Sequence, residues 1–399
     1  MIALTGGDLI LPDRVVAEGA LLIDDGRIAA IEHRRIDAAG ARVVDASGCY
    51  VVPGFIDVHV HGIEGHDTLD GGRSVARIAS ALVRYGVTAF CPTSVACAPD
   101  DLRTFLNQVR DLRVTPEPNA ARVLPAHLES NFINPEFRGA QPETCLRTAD
   151  DRPRDGAYSG RDVLTTIEQA RPDVGIVTLA PELPGAIDLV RSLVAAGHRV
   201  SLGHSGADFD VAVAAIEAGA RHATHLFNRM TPLQHRAPGL AGAVLAREDV
   251  AAELICDGFH VHPAMGRVAM VAKGCHRMMA ITDATAGAGL PVGSTAQLGG
   301  REIRVRAEAA FLHDGTLAGS TLTMNRAFET IVSRFGGSLV DAATMCSTTP
   351  ARELGLTGLG VLAEGSVADL VVLDRSFEVI RTYVGGQEVW VNSSARADV

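Results

Sequence analysis

The 399-residue chain reads as an α/β protein, a (β/α)8 TIM-type barrel carrying a small β-sandwich formed by both chain termini. Three observations predict this. Through the middle of the chain, short apolar runs alternate with segments of helical periodicity, as strand–helix units on a parallel sheet do. There are eight such runs within about 300 residues, the size of a closed barrel of this kind. Both ends of the chain, by contrast, have the texture of short strands and turns. A doubly wound open sheet is the alternative, but no Gly-x-Gly-x-x-Gly follows the first strand.

Residues 1–52 form the N-terminal portion of the sandwich. Ala20-Leu21-Leu22-Ile23 runs through Asp24-Asp25-Gly26 into Arg27-Ile28, a hairpin in which Asp-Gly supplies the positive φ. The barrel takes residues 53–352. Its strands are expected at 50–58, 87–92, 121–128, 175–180, 199–202, 222–226, 251–256 and 277–281. Helices are expected at 72–85, 99–113, 184–196 and 209–218, with glycine C-caps before Val87 and His198. Residues 147–161 are polar, charged and aperiodic, and read as a surface loop. Residues 353–399 form the C-terminal portion of the sandwich, with strands at 368–373 and 384–390 and a frayed tail from 392.

Composition narrows the function. A 47% hydrophobic and 21% charged chain is an ordinary globular mixture, which excludes a disordered or fibrous protein. The net charge of −11 argues against a nucleic-acid partner, which needs a basic footprint. Lys273 is the only lysine and is followed by Gly274, so no Walker A loop exists. Seven cysteines form no Cys-x-x-Cys pair and read as reduced thiols of a cytoplasm, mostly core filler. No signal segment opens the chain and no run of about 18 apolar residues occurs. The expectation is a soluble cytoplasmic protein with no membrane partner.

The chemistry-bearing residues recur at one place in the repeat. They are Asp57-Val58-His59-Val60-His61, His127-Leu128-Glu129, Gly203-His204-Ser205, His225-Leu226-Phe227-Asn228, Asp257-Gly258-Phe259-His260 and Thr282-Asp283-Ala284. In a barrel the carboxyl ends of the strands meet at one face, where the active site lies. Histidines, a glutamate and an aspartate converging there predict a metal site. His59 and His61, two apart on a strand, point the same way and can grip one ion. Imidazole and carboxylate without thiolate suit zinc, or iron or manganese. Asp283 is placed as a general base toward a water that such an ion acidifies. His127 shares a strand face with Glu129 and is a candidate supporting residue. His33, His198, His276 and His313 read as ordinary core or surface residues.

The segment Pro53-Gly54-Phe55-Ile56-Asp57-Val58-His59-Val60-His61-Gly62 resembles the opening of an amidohydrolase-superfamily barrel. Within that superfamily the chain is similar to the N-acetylglucosamine-6-phosphate deacetylase family. The likeness rests on His127-Leu128-Glu129, Gly203-His204-Ser205, Ala223-Thr224-His225-Leu226-Phe227-Asn228, Asp257-Gly258-Phe259-His260, Thr282-Asp283-Ala284 and Leu317-Ala318-Gly319-Ser320, in family order. The resemblance implies metal-dependent hydrolysis of the N-acetyl group of an amino-sugar phosphate, with N-acetylglucosamine 6-phosphate first. A related N-acyl substrate, such as the galactosamine epimer, is the alternative, and a non-catalytic phosphosugar-binding protein the more distant one. It implies one or two divalent metals, with Glu129, His204 and His225 as main ligands and His59 and His61 as ligands of a second ion. Asp283 matches the acid/base. Asn228, Arg236 and His260 match the phosphate and sugar contacts, some of them supplied across the interface of a homodimer.

Three departures bear on which sugar and acyl group are accepted. Ser130-Asn131 stands where the family usually has Gly-Pro. Gln141 stands for a histidine that helps polarise the acyl oxygen, and so joins the expected substrate contacts. Arg229 replaces the common alanine and adds size and charge at the substrate mouth.

Overall fold

The computed structural model describes residues 1–33, 39–151 and 157–392. Eight parallel strands make the barrel: β1 (Phe55–Val60), β2 (Val87–Ser94), β3 (Ala126–Glu129), β4 (Val174–Leu179), β5 (Arg199–Leu202), β6 (His222–Ala223), β7 (Ala251–Ile255) and β8 (Met278–Ile281). Each pairs with the next in the chain. The barrel closes where β1 meets β8. A parallel bridge joins Val60 to Ala284, and the Asp283 N–H donates to the His59 carbonyl at 3.0 Å. The seam therefore runs through residues of the candidate site.

The strands are near-continuous apolar runs because both their faces are covered. All of β1, β2, β3 and β7 is buried. Helices clothe the outside. Pro99–Val114 begins with proline in its first turn and Asp100 and Asp101 beside it, which suits the positive end of the helix dipole. Gly160–Gln169 opens with a capping box between Ser159 and Asp162. The four helices expected from periodicity are present within a few residues of their expected ends, at Ser74–Leu82 with Val83–Tyr85, Pro99–Val114, Ala186–Ala195 and Phe209–Glu217.

Two expected runs divide. The first splits at Gly54, so Tyr50–Pro53 joins the terminal sheet and only Phe55–Val60 enters the barrel. The third splits around Pro125, which has no N–H for a ladder, into Arg122–Val123 and Ala126–Glu129. An element that periodicity did not anticipate follows β8. It is a three-stranded antiparallel sheet of Thr295–Leu298, Arg301–Val305 and Ala310–Leu312. Its strands are short, and it has a small core of its own around Leu298, Ile303 and Ala310.

The two chain ends pair as expected. Leu370–Leu373 runs antiparallel to Tyr50–Pro53, which lies beside Ile2–Ile10. The strands belong to one eight-stranded sheet that branches at Ile2–Ile10, where Arg42–Asp45 also pairs. Leu4, Leu21, Ile28, Val51, Leu370 and Tyr383 belong to its core. Val371, Leu373 and Val379 belong instead to the barrel's cluster, so the sheet is fastened to the barrel by its second face. Residues 152–156 of the expected loop, and 393–399 of the expected tail, lie outside the described residues. Among the described residues no helix is long and apolar enough to cross a membrane.

Candidate active site

His59 and His61 project from the end of β1 into the barrel and are 0% and 3% exposed. The chain then turns at Gly62. A Cβ there would collide with the His66 carbonyl oxygen, so only glycine passes. Glu129 is the last residue of β3. His204, His225 and Asp283 each lie two residues beyond their strands, β5, β6 and β8. All three take left-handed backbone, with φ of 49°, 32° and 49°. Such backbone costs on the order of 1 kcal/mol per residue and persists where the surroundings enforce it. Here it turns three polar side chains back over the barrel mouth.

Glu129 is the hub of the group that results. Its Oε1 lies 2.8 Å from His204 Nε2 and 2.9 Å from His225 Nε2. Its Oε2 lies 3.4 Å from His61 Nε2, and Oε1 is 3.7 Å from His59 Nε2. The ring nitrogens also face one another, at 3.0 Å between His204 and His225 and 3.1 Å between His59 and His61. Asp283 Oδ1 stands 3.3 Å from His61 Nε2 and 3.5 Å from His59 Nε2. Two ligand triads result, Glu129–His204–His225 and His59–His61–Glu129, and Glu129 belongs to both.

The arrangement fits a divalent cation. His204 donates through Nδ1 to the Phe137 carbonyl, and His59 through Nδ1 to the Glu253 carboxylate, both at 2.9 Å. Those bonds leave each Nε2 as an inward lone pair. Lone pairs about 3 Å apart repel unless a proton or a cation lies between them. The electrostatics agree. Burial drives the imidazoles toward neutrality, and His59 falls to about 4. At His61 burial is outweighed by hydrogen bonds to Asp283 and Glu129, which lift it to about 10; at His225 the Glu129 bond lifts it to about 9. Burial would raise the Glu129 and Asp283 carboxyls, but the imidazoles hold both below their ordinary values. The pocket thus attracts positive charge, and its donors are imidazole nitrogen and carboxylate oxygen.

Above this centre opens a cleft. Asn228, His260 and Gln141 line it. Arg236 does not. It is exposed, on a loop facing a separate groove beside Asp208 and Asp210, and reaches no part of this chain's own cleft. The His260 ring is fixed by a 2.5 Å bond from Nδ1 to Asp257. Gln141, in the cleft lining, also touches the metal-ligand cluster. Its amide nitrogen donates to Glu129 Oε2 and its oxygen accepts the Ala96 N–H at 2.7 Å, so it positions the hub carboxylate. Ser130 and Asn131 are buried away from the cleft. Ser130 donates to the Thr178 carbonyl at 2.5 Å, and Asn131 to the Cys97 and Cys145 carbonyls at 2.8 and 2.7 Å. Both side chains are spent on backbone carbonyls, and neither lines the cleft.

Sequence reasoning missed Glu253. It is wholly buried in β7, and its Oε2 takes the His59 Nδ1–H. One acid inside the apolar run Ala-Ala-Glu-Leu-Ile was the available signal, since a buried carboxylate needs a partner. His127, expected to support the centre, stacks edge-on to His59 at 4.5 Å. Both its nitrogens are committed, to the Val58 carbonyl and the Thr178 hydroxyl. Glu182 accepts from Ser205 and from the Gly206 N–H, which pins the turn carrying His204.

Comparison with known proteins gives the family. The profile of the Amidohydrolase family matches residues 50–389. The N-acetylglucosamine-6-phosphate deacetylase of Bacillus subtilis is 33% identical over 396 residues, covering 97% of this chain and 96% of that protein. The N-acetylgalactosamine-6-phosphate deacetylase of Escherichia coli O157:H7 is 36% identical, covering 92% of this chain and 93% of that one. Among solved structures, a mutant N-acetyl-D-glucosamine-6-phosphate deacetylase from Mycobacterium smegmatis, in complex with N-acetyl-D-glucosamine-6-phosphate, superposes with a TM-score of 0.87. It is 32% identical, with 97% of this chain and 99% of that one covered. With likeness running over 97% of its length, the chain belongs to the amidohydrolase family, among its N-acetylglucosamine-6-phosphate deacetylases.

Proposed function

We propose that this chain removes the N-acetyl group from an amino-sugar phosphate, N-acetylglucosamine 6-phosphate first, giving glucosamine 6-phosphate and acetate. The observation that carries the reading is the Glu129 carboxylate shared among four imidazoles, with Asp283 at 3.3 Å from His61, on the floor of an open cleft. Glu129, His204 and His225 would hold one divalent ion, and His59 and His61 with Glu129 a second; zinc suits the donor set best. Such an ion supplies Lewis acidity toward the acetamide carbonyl and makes water acidic near neutral pH. Asp283 receives the proton of the attacking water. It then returns that proton to the nitrogen, so that the sugar leaves as an amine and not as an amide anion. Gln141 keeps Glu129 in place, and Glu253 keeps the His59 ring turned so that Nε2 faces the cleft. Asn228 and His260 contact the phosphosugar. Arg236, turned outward in the single chain, would serve the cleft of a second chain in a homodimer. A cytoplasmic setting suits an enzyme with seven free thiols and a phosphorylated substrate.

A second reading, the galactosamine epimer, is favoured by the similarity to the Escherichia coli O157:H7 relative. Acetate release from the two 6-phosphate epimers, measured side by side, decides between them. Faster release from the gluco epimer is expected. Release from the galacto epimer alone would replace the first reading with the second.

A further inference from the structure

Among the described residues one arginine lines the cleft, at its exposed mouth, and it is not Arg236. Arg229 follows Asn228 in the turn after β6 and lines the cleft beside His260 and Asn228. Three features make it more than a stray surface arginine. Its backbone is left-handed, at φ 50°, with Phe227 two residues earlier at φ 75°. Arginine adopts that conformation at a cost, and the turn holds it there. Its side chain lies along Gly139, where φ is 57° and an added Cβ would stand 2.7 Å from the Arg229 Nε. Glycine at 139 thus leaves the space that the arginine stem occupies. Finally, no ion pair or hydrogen bond engages the guanidinium among the described residues. Most other arginines near acids in this chain are paired, as Arg122 is with Asp369 and Arg113 with Asp173.

The surroundings call for such a group. The cleft floor carries the carboxylates of Glu129 and Asp283, and the chain as a whole carries −11. A phosphate dianion seated at the mouth, away from those carboxylates, is favoured by a fixed cation beside it. A guanidinium fork matches a phosphate in two parallel hydrogen bonds. We infer that Arg229 is the anion-recognising residue of this chain's own cleft, receiving the phosphate of a phosphorylated N-acyl sugar from within the same chain that hydrolyses it. Preference for a phosphorylated substrate is then set within one chain. An arginine from a second chain becomes an addition to that preference and not its origin. The inference rests on the deacetylase reading for the identity of the sugar, but the anion contact itself does not depend on turnover.

The test compares Arg229→Ala, Arg229→Lys and Arg236→Ala with the unmodified protein, all loaded with metal. The first readout is kcat/KM for N-acetylglucosamine 6-phosphate divided by that for N-acetylglucosamine. Arg229→Ala should lower this ratio roughly 10- to 100-fold, mainly through KM, since a charge-assisted hydrogen bond contributes about that much. Arg229→Lys should retain part of the ratio, because the charge remains while the fork is lost. The second readout is the affinity for glucosamine 6-phosphate by calorimetry, which needs no catalysis. Weaker binding by Arg229→Ala than by the unmodified protein supports the contact. An unchanged ratio together with unchanged affinity overturns it, as does loss of the whole ratio in Arg236→Ala alone. Glucosamine 6-phosphate bound through Arg229, with no N-acetyl substrate hydrolysed, would retire the deacetylase reading and leave the anion contact standing.

Discussion

One carboxylate offers about four acceptor positions. Glu129 turns them to His204, His225, His61 and the Gln141 amide, with His59 farther off at 3.7 Å. The consequence at this scale is that the two triads are separable. Replacing His59 and His61 together by alanine should lower the bound metal from about two ions to about one per chain, read by elemental analysis. One ion before and after would remove the second site. Glu253→Gln keeps the shape of the residue beside His59 but removes its charge. The variant should fold and keep the ion of the Glu129–His204–His225 triad, while affinity for the other ion falls roughly 10- to 100-fold, as outer-shell partners of metal-binding histidines show. Unchanged affinity for both ions would make Glu253 a packing residue only. Gln141 shows what type and spacing alone could not reveal. The sequence put a polar amide near the acyl group, but only coordinates show its nitrogen spent on Glu129.

At the scale of elements, the site depends on where strands stop. His204, His225 and Asp283 each follow two residues after a strand and each turns left-handed. The strand ends were legible in sequence because apolar runs break at polar residues. The left-handed turns were not, since none of the three residues is a glycine. The three-stranded insertion after β8 escaped for another reason: strands of three to five residues carry too few alternations to register a period. The opposite end of the barrel is fastened by Glu353, in the helix Thr349–Leu354. It takes Arg277 and Arg352 at 3.2 and 2.7 Å, with His222 at 3.7 Å. Burial would raise its pKa, but the bonds from His222 and Arg352 outweigh it and pull it down to about 2. A carboxyl whose folded pKa lies below its unfolded value stabilises the fold above the unfolded value, and that contribution is lost as pH falls through the folded one. Glu353→Gln should therefore unfold at lower urea than the parent at pH 7, and the gap should narrow as pH falls from about 4.5 toward 2. A gap that stays constant across that window would deny the linkage.

At the scale of the whole molecule, the terminal sheet and the barrel are coupled by packing and by one buried charge. Arg122 grips Asp369 through two bonds of 3.0 and 3.1 Å, and Asp369 is 3% exposed. Arg122→Ala leaves that carboxylate buried with only the Gly385 N–H at 2.6 Å. The expected loss is about 2 kcal/mol by denaturant titration, moderated because Arg122 itself is partly in water. A loss under about 0.5 kcal/mol would mean that the pair behaves as a surface contact. The fold class was legible because its repeat is long and regular, and so was the metal cluster, because its members recur at one phase of that repeat. The direction of Arg236 was not legible, since spacing from Asn228 says nothing about which way a loop turns. The central claim is that the Glu129 centre, with Asp283 beside it, hydrolyses an N-acetyl amino-sugar phosphate. Its most direct test is acetate release from N-acetylglucosamine 6-phosphate by chelator-stripped and metal-restored protein, with Asp283→Asn in parallel. Release should vanish on stripping and return with metal, and Asp283→Asn should bind the same metal while releasing acetate roughly 1,000-fold more slowly. Full release from the stripped protein, or from Asp283→Asn, would contradict the account.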